Sequence, residues 1–132
     1  MNGTLETVRR FYDALSRGDV PAALALLDPH VEWTEAERFP YYNGTWRSPN
    51  AVVKGLFEPL AGDWSRFEVK PKDFVTEGNQ TVSFGNYVGT HKHTGRSMNA
   101  AFAHHWTVHN GKITRFVQHT DTAKLLEAVG AL

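Results

Sequence analysis

One carboxylate in the sequence stands in apolar surroundings that would change its chemistry. Val31, Trp33 and Glu35 alternate with polar residues, and this period of two predicts a strand over 31–35 that carries all three on one face. Removing a carboxyl group from water disfavours its charged form and raises its pKa, which suits it to act as a general base near neutral pH. The alternative is a solvated glutamate at the rim, where the strand ends.

Two polar side chains on later strands could complete a catalytic site. His104 lies between Phe102 and Trp106 in an apolar alternation, and Gln118 shares a strand face with Phe116. An imidazole can donate a hydrogen bond to a developing oxyanion or carry a proton, and an amide offers both a donor and an acceptor. Each residue also has a structural interpretation, since a buried polar group needs a partner in any case. In that interpretation His104 is a core histidine hydrogen-bonded to the backbone, and Gln118 is an amide paired with side chains of neighbouring strands.

Aromatic residues in the predicted elements could form the walls of a pocket around these groups. The candidates for substrate binding are Trp33, Tyr12, Tyr41, Trp46, Phe57, Trp106 and Phe116. Aromatic stripes are more often ordinary core than binding surface. Tyr12 falls on the buried face of the first helix, so core packing is favoured for it unless its side chain turns towards the pocket.

Two histidines raise the question of a metal site. His91 and His93 are two positions apart and would share one face of a strand. No carboxylate or cysteine stands at a spacing that zinc sites use, and the pair lies beside the turn at 94–95. We therefore expect exposed hairpin histidines and no metal ligands.

The elements that would position these residues follow from the spacing of the apolar side chains. Helical periodicity predicts a first helix that ends at Gly18, a short second helix to about Leu27, and a third helix that begins after Ser48. From Phe67 onward the period is two, and turn signals at 78–79, 94–95 and 110–111 separate four antiparallel strands. Asp121 then caps a closing helix. Helices on one face of an antiparallel sheet make an α+β fold, and we predict one domain over 1–132.

Composition excludes several classes of function. Lys+Arg and Asp+Glu number 14 each, so we expect no nucleic-acid partner, which would favour a basic excess. The longest apolar stretch, 22–27, is far too short for a bilayer, and we expect no membrane association. Cysteine is absent, which excludes disulfides, and the first residues lack the pattern of a signal peptide. A cytoplasmic location is the expectation.

Four stretches of the chain carry a family resemblance: VRRFYDALSRGDVPAALALL, DPHVEW, YNGTWRSPNAV and FAHHWTVHNGKITRFVQHTDTA. Together with the order of elements, they resemble the SnoaL-like, ketosteroid-isomerase-related branch of the nuclear-transport-factor-2-like (NTF2-like) superfamily. This resemblance implies a cone-shaped α+β fold, with a curved antiparallel sheet and N-terminal helices packed on its concave face. It also implies a pocket for a small apolar organic ligand, no cofactor, and a homodimer formed through the outer face of the sheet.

The resemblance also places individual residues. Steroid isomerases carry their basic carboxylate within one residue of Glu35, with Thr34 as the other candidate. A one-residue gap at the 110–111 turn aligns His104 with their hydrogen-bond-donating aspartic acid, whereas without the gap Ala103 falls there. Phe11 stands where they have a catalytic tyrosine, which argues against steroid isomerisation.

Two functions remain open at this point. In the first, the chain is a cofactor-independent lyase, isomerase or cyclase in which Glu35 abstracts a proton beside a carbonyl, and His104 and Gln118 stabilise the enolate. Epoxide hydrolases of the superfamily place a carboxylate near Gln118, so that activity is not expected. In the second, the chain is a non-catalytic domain that binds an apolar ligand or dimerises. This fold hosts both kinds of protein.

Overall fold

Residues 3–132 are described by the structure, which is a computed structural model. Helix α1 spans Gly3–Ser16 and helix α2 spans Val20–Leu24. A third helical region follows as α3 (Pro49–Val52), a π-helical turn (Val53–Phe57) and α4 (Glu58–Asp63), and α5 (Thr122–Val129) closes the chain. The predicted third helix is therefore present, but it is interrupted by a wider turn. The additional residue in that turn leaves both Leu56 and Phe57 facing the interior of the molecule.

Six strands form one curved sheet with the order β2-β1-β6-β5-β4-β3. Their bounds are β1 Leu27–Thr34, β2 Thr45–Trp46, β3 Trp64–Glu77, β4 Gln80–His91, β5 Ser97–His109 and β6 Lys112–Thr120. The last four form the predicted antiparallel meander. With α1 packed on the sheet, the predicted α+β fold is confirmed.

The start of the sheet differs from the prediction in two ways. Strand β1 begins at Leu27 and ends at Thr34, so the second helix is shorter than expected and Glu35 lies just beyond the strand. Strand β1 also pairs with β6 in parallel, with Thr34 opposite Val117. This pairing brings the end of β1 next to β6, and it places Glu35 near Gln118.

The turn chemistry of the meander agrees with the sequence. Asn110 and Gly111 have φ angles of 50° and 75°, the left-handed values that a type I′ hairpin turn requires. The Asp121 carboxylate accepts a hydrogen bond from the Lys124 N–H, and Gly130 ends α5 with a φ of 84°. The tight turn therefore sets the register that pairs β5 with β6.

The apolar residues Val82 and Phe84, which alternate in the sequence of β4, do not lie on the buried face of this strand. Phe84 is 43% exposed, whereas Thr81 and Ser83 are fully buried and Tyr87 is nearly so. Ser83 lies directly opposite His104 on β5, and directly opposed residues share a face of the sheet. The interior of the sheet is consequently more polar at β4 than the sequence pattern indicates.

Of the two histidines in the β4–β5 hairpin, one is exposed and the other is buried. His93 is exposed as predicted, but His91 is buried, and this part of the prediction is wrong. Its ring packs edge-on against Trp64 at 5.2 Å between centroids, and its Nδ1 accepts a hydrogen bond from the Thr94 N–H at 3.3 Å. His91 thus closes the end of the sheet, because β3 begins directly opposite it.

Gly85 on β4 allows the long strand β3 to approach closely. A Cβ atom at this position would lie 2.2 Å from the Lys70 carbonyl oxygen, which is main chain and cannot rotate away. We expect Gly85→Ala to lower the free energy of unfolding by roughly 1–3 kcal/mol through overpacking. Gly62→Ala is the matched control, because its Cβ would meet nothing within 4 Å and alanine is the better helix former by roughly 0.5–1 kcal/mol. Urea unfolding checks both changes; equal stability of the two variants would contradict the prediction.

Within residues 3–132, the helices are too short and too polar for any of them to cross a bilayer.

Candidate active site

A cavity of about 50 Å³ lies between α1, the third helical region and the concave face of the sheet. Its walls include all three predicted catalytic residues, Glu35, His104 and Gln118. They also include five of the seven predicted aromatic residues, namely Tyr12, Trp33, Phe57, Trp106 and Phe116. The structure therefore brings together residues from five elements: α1, the end of β1, the third helical region, β5 and β6.

Tyr41 and Trp46 do not line the cavity, contrary to the sequence prediction. The Tyr41 hydroxyl donates to the Asp63 carboxylate at 2.9 Å and accepts from the indole N–H of Trp64 at 3.1 Å. Trp46 is paired with Trp33 across β1 and β2, and its indole lies directly over Gly55. Both aromatic rings stabilise the third helical region and its neighbours and do not face a ligand.

Glu35 is buried to 3% exposure at the end of β1. Burial raises the pKa of its carboxyl group to about 8, and the nearby indole N–H of Trp33 acts more weakly in the opposite direction. A carboxyl group with this pKa is ionised in roughly one molecule in ten at pH 7, since each pH unit changes the ratio tenfold. The ionised fraction can accept a proton near neutral pH, and the role of Glu35 as a base stays a prediction.

Two buried polar atoms in the cavity wall lack a hydrogen-bond partner. They are Oε2 of Glu35, an acceptor, and Nε1 of Trp33, a donor. Leaving such groups unpaired costs roughly 1–3 kcal/mol each, and buried polar groups are rarely left so without a functional reason. The indole N–H of Trp33 lowers the pKa of the Glu35 carboxyl group, so the unpaired donor and the unpaired acceptor lie close together in residues of the cavity wall.

Gln118 links the end of β1 to the opposite wall. Its Oε1 accepts the Ala36 N–H at 3.0 Å, and its Nε2 donates to the Tyr87 hydroxyl at 2.8 Å. The Ala36 contact fixes the chain next to Glu35, beyond the last paired residue of β1. The amide therefore holds the base in place, and the structural interpretation of Gln118 agrees with these contacts.

His104 is enclosed by two tyrosines. Its Nδ1 lies 2.5 Å from the Tyr12 hydroxyl, and its Nε2 is hydrogen-bonded to the Tyr87 hydroxyl. The ring stacks on Phe102 at 3.9 Å between centroids. Burial, with the charge of His119 as a smaller cause, holds the pKa of His104 well below its usual value, so the ring is neutral. With both nitrogens occupied, His104 has no free atom for a ligand.

Tyr12 turns inward and extends this network to Ser83. The two hydroxyl oxygens are 2.6 Å apart, and the Trp106 indole N–H donates to Ser83 at 2.9 Å. Burial raises the pKa of the Tyr12 hydroxyl well above its usual value, and it raises that of Tyr87 in the same way. Both phenols therefore remain protonated donors throughout the physiological pH range.

Sequence reasoning missed Tyr87 and Ser83, which are central to this network. Thr81, Ser83 and Tyr87 alternate along β4 with the same period of two as the apolar residues beside them. This alternation could have indicated that the three polar residues share one face of β4. It was obscured because Phe84, on the outer face, is the more prominent hydrophobic residue.

An open groove of about 600 Å³ lies next to the cavity. The two spaces share the walls formed by Leu15, Phe57, Leu60, Phe67 and Val69. These five apolar side chains lie between the cavity and the groove along β3 and line both spaces. In the described part of the chain, no group of three or more histidine, aspartate or glutamate side chains is arranged to hold a metal ion.

Comparison with known proteins identifies the family. The model of the SnoaL-like domain matches residues 8–116. An NTF2-like protein from Burkholderia thailandensis E264 superposes with a TM-score of 0.93 and 35% identity, over 98% of both chains. TerC, crystallised with polyporic acid, has a TM-score of 0.85 and 23% identity over 97% of this chain and 98% of TerC. IdmH from Streptomyces antibioticus, a candidate polyketide cyclase, has a TM-score of 0.81 and 19% identity over 96% and 98%. No curated protein matches the chain.

TerC and IdmH show the shared fold alone, whereas the family model and the Burkholderia protein extend the likeness to sequence. The family predicted from the four sequence stretches is thereby confirmed. The chain belongs to the SnoaL-like domain family and has the NTF2-like fold.

Proposed function

We propose that this small-molecule-binding domain is a cofactor-independent lyase, isomerase or cyclase that acts by proton abstraction. The observation that carries the proposal is the unpartnered Oε2 of Glu35, a buried oxygen of a carboxyl group in the cavity wall. A structural carboxylate at this depth would normally be paired or hydrogen-bonded, because an unpaired buried charge is costly. A perturbed carboxyl group in a cavity is instead characteristic of a functional site.

In the proposed reaction, Glu35 removes a proton from a carbon next to a carbonyl group. The C–H bond breaks, its electron pair forms the C=C bond of an enolate, and negative charge develops on the carbonyl oxygen. The proton on Glu35 can then return to a different carbon, which gives an isomerase. In a cyclase the enolate carbon instead bonds to the carbon of a second carbonyl group, the π electrons of that group move to its oxygen, and this oxygen takes the proton from Glu35. The surrounding aromatic walls exclude water and strengthen the electrostatic contacts that stabilise the enolate.

The substrate we propose is an aromatic or polyketide-like carbonyl compound. Supporting observations are the aromatic walls of Trp33, Trp106 and Phe116 and the ligand and candidate activity of the structural neighbours TerC and IdmH. A cavity of about 50 Å³ holds only a few heavy atoms. The reacting carbonyl would enter this cavity, and the remaining rings would occupy the adjoining groove after the apolar side chains between the two spaces move apart.

We also propose a homodimer in the cytoplasm, without nucleic-acid or membrane partners. The outer face of the sheet supports the dimer, because Phe84 and Val75 are 43% and 63% exposed there. Large exposed apolar side chains on a sheet face are typical of a covered surface. The balanced charge of the chain supports the absence of nucleic acid.

The proposal is tested by hydrogen exchange at carbon. We would incubate the protein in D₂O with aryl ketones and β-diketones of one to three rings and follow the α-C–H signal by NMR. We expect the wild type to accelerate exchange for compounds that bind. Glu37→Gln is the control, because it changes an exposed glutamate two residues away and should exchange as the wild type does. Tight binding of these compounds with exchange no faster than in buffer would instead support a binding domain.

A further inference from the structure

The hydrogen-bond network behind the cavity determines where its hydrogens lie, and this identifies a further residue that would contact the substrate. The inference rests on the proposed proton abstraction by Glu35. The network runs from Gln118 through Tyr87, His104 and Tyr12 to Ser83. Each link has a donor and an acceptor, so choosing the direction of one link restricts all the others.

The Gln118 end of the network has a fixed direction. A backbone N–H can only donate, so the atom that meets the Ala36 N–H must be the amide oxygen. The amide nitrogen of Gln118 therefore faces Tyr87 and donates to its hydroxyl oxygen. Tyr87 thus always accepts one hydrogen bond from this side, and the open question is where its own hydrogen points.

The Ser83 end is equally constrained. The indole N–H of Trp106 can only donate, so Ser83 always accepts from it. In the described residues, the only other side-chain partner of the Ser83 hydroxyl is Tyr12. Ser83 is fully buried and does not line the cavity, so neither solvent nor a ligand reaches its hydroxyl.

His104 joins the two ends and carries a single N–H, because the buried ring is neutral. If the hydrogen is on Nδ1, His104 donates to Tyr12, Tyr12 donates to Ser83, and Tyr87 donates to Nε2. The hydrogen of Ser83 then has no acceptor. In a variant of this arrangement Ser83 donates to Tyr12, whose oxygen accepts from both neighbours, and the hydrogen of Tyr12 is the free one. If the hydrogen is on Nε2, every direction reverses: Ser83 donates to Tyr12, Tyr12 donates to Nδ1, and His104 donates to Tyr87. The hydrogen of Tyr87 is then the free one.

The three arrangements differ in where they leave one unpaired hydrogen. On Ser83 it would be sealed in the core, where an unsatisfied donor carries its full desolvation penalty. On Tyr87 it belongs to a side chain in the cavity wall, where an occupant can accept it. The Glu35 carboxylate is also close enough to Tyr87 to act on its hydroxyl through space. A free hydrogen on Tyr12 would also lie on a side chain of the cavity wall. Tyr87 is the better placed of the two, because Gln118 binds both its hydroxyl and the chain next to Glu35.

We infer that Tyr87 presents its hydroxyl hydrogen to the cavity opposite Glu35, and that it donates this hydrogen to the carbonyl oxygen of the substrate as Glu35 takes the α-proton. Tyr87 is then a catalytic residue, and His104 is a positioning residue that directs the Tyr87 hydroxyl without touching the substrate. The substrate class narrows to carbonyl compounds whose oxygen and acidic C–H can reach Tyr87 and Glu35 together. No net proton leaves Tyr87; the hydrogen bond stabilises the charge that develops on oxygen.

The arrangement is tested in the wild-type protein without substrate, by ¹⁵N NMR of histidine-labelled protein. We expect the His104 ring to be neutral with its hydrogen on Nε2. A hydrogen on Nδ1 would commit the Tyr87 hydroxyl to His104 and overturn the inference. This result does not depend on whether the protein catalyses exchange, so it separates a failure of the inference from a failure of the proposed function.

The catalytic role is tested by Tyr87→Phe in the deuterium-exchange assay. Loss of one oxyanion donor is expected to lower kcat by roughly 10²–10³-fold, with thermal unfolding confirming that the variant is folded. Tyr42→Phe, which changes an exposed tyrosine, should leave kcat unchanged. If Tyr87→Phe exchanges as the wild type does while Glu35→Gln is inactive, the inference is wrong and the proposed function stands. A kcat lowered to the same extent by Tyr42→Phe would equally overturn it.

Discussion

Replacing Glu35 by glutamine is expected to lower α-proton exchange by roughly 10²–10⁴-fold, the contribution that a positioned general base makes. Glutamine has nearly the same shape and remains buried, but it cannot accept the proton. The contacts of Gln118 with Ala36 and Tyr87 do not involve the Glu35 side chain, so the fold is expected to persist. The measurement is kcat/KM for one substrate in the wild type and in Glu35→Gln. Glu37→Gln is the control, because it makes the same substitution outside the cavity.

The pH dependence of the same rate distinguishes a base from an acid. A base works only when ionised, and burial raises the pKa of Glu35 to about 8. We therefore expect kcat/KM of the wild type to rise about tenfold per pH unit below pH 8 and to level off above it. A rate that falls as pH rises through 8 would mean that protonated Glu35 acts as an acid. Full activity of Glu35→Gln would remove this residue from the mechanism.

The second large effect is on the pH dependence of stability. A carboxylate whose pKa is lowered by folding stabilises the folded protein as pH rises, whereas Glu35, whose pKa is raised, should destabilise it. The pKa of Glu35 is about 8 in the folded protein, against an ordinary value of 4.5 for a glutamate in water. Below pH 4.5 the carboxyl group is protonated in both states and carries no penalty. Between pH 4.5 and 8 the unfolded state releases its proton and the folded state retains it, so the folded state loses relative stability as pH rises. Above pH 8 the loss is complete.

The magnitude follows from the size of the shift. At about 1.4 kcal/mol per pKa unit, Glu35 should cost the folded protein roughly 3–5 kcal/mol at pH 8 and above. Glu35→Gln lacks this titration. The difference in free energy of unfolding between Glu35→Gln and the wild type should therefore increase by that amount between pH 4.5 and 8. Urea unfolding at several pH values measures it, and a difference that is constant with pH would contradict a buried, unpaired carboxyl group.

Local patterns in the sequence were sufficient to predict most of the elements. The Asn110-Gly111 turn and the Asp121 cap depend on neighbouring residues alone, so their chemistry can be recognised without a structure. The burial of Glu35 was predictable for a similar reason, since Val31 and Trp33 share its face. Such features are local, and tertiary packing did not override them.

The parts that were not predicted depend on contacts between distant segments. The parallel pairing of β1 with β6 involves residues about 80 positions apart, and no local signal specifies it. The same holds for Tyr41 and Trp46, whose partners are on the third helical region and not around the cavity. His104 was correctly located, but its enclosure by Tyr12 and Tyr87 required three elements to be placed at once.

The most direct test of the account is the ionisation of Glu35 itself, measured by the ¹³C NMR shift of its side-chain carboxyl group as a function of pH. The central claim is that this carboxyl group is buried, unpartnered and available as a base near neutral pH. The account predicts a single titration with a pKa of about 8, absent from the spectrum of Glu35→Gln. A pKa near the ordinary glutamate value of 4.5 would show a solvated or paired carboxylate and would contradict the proposed mechanism.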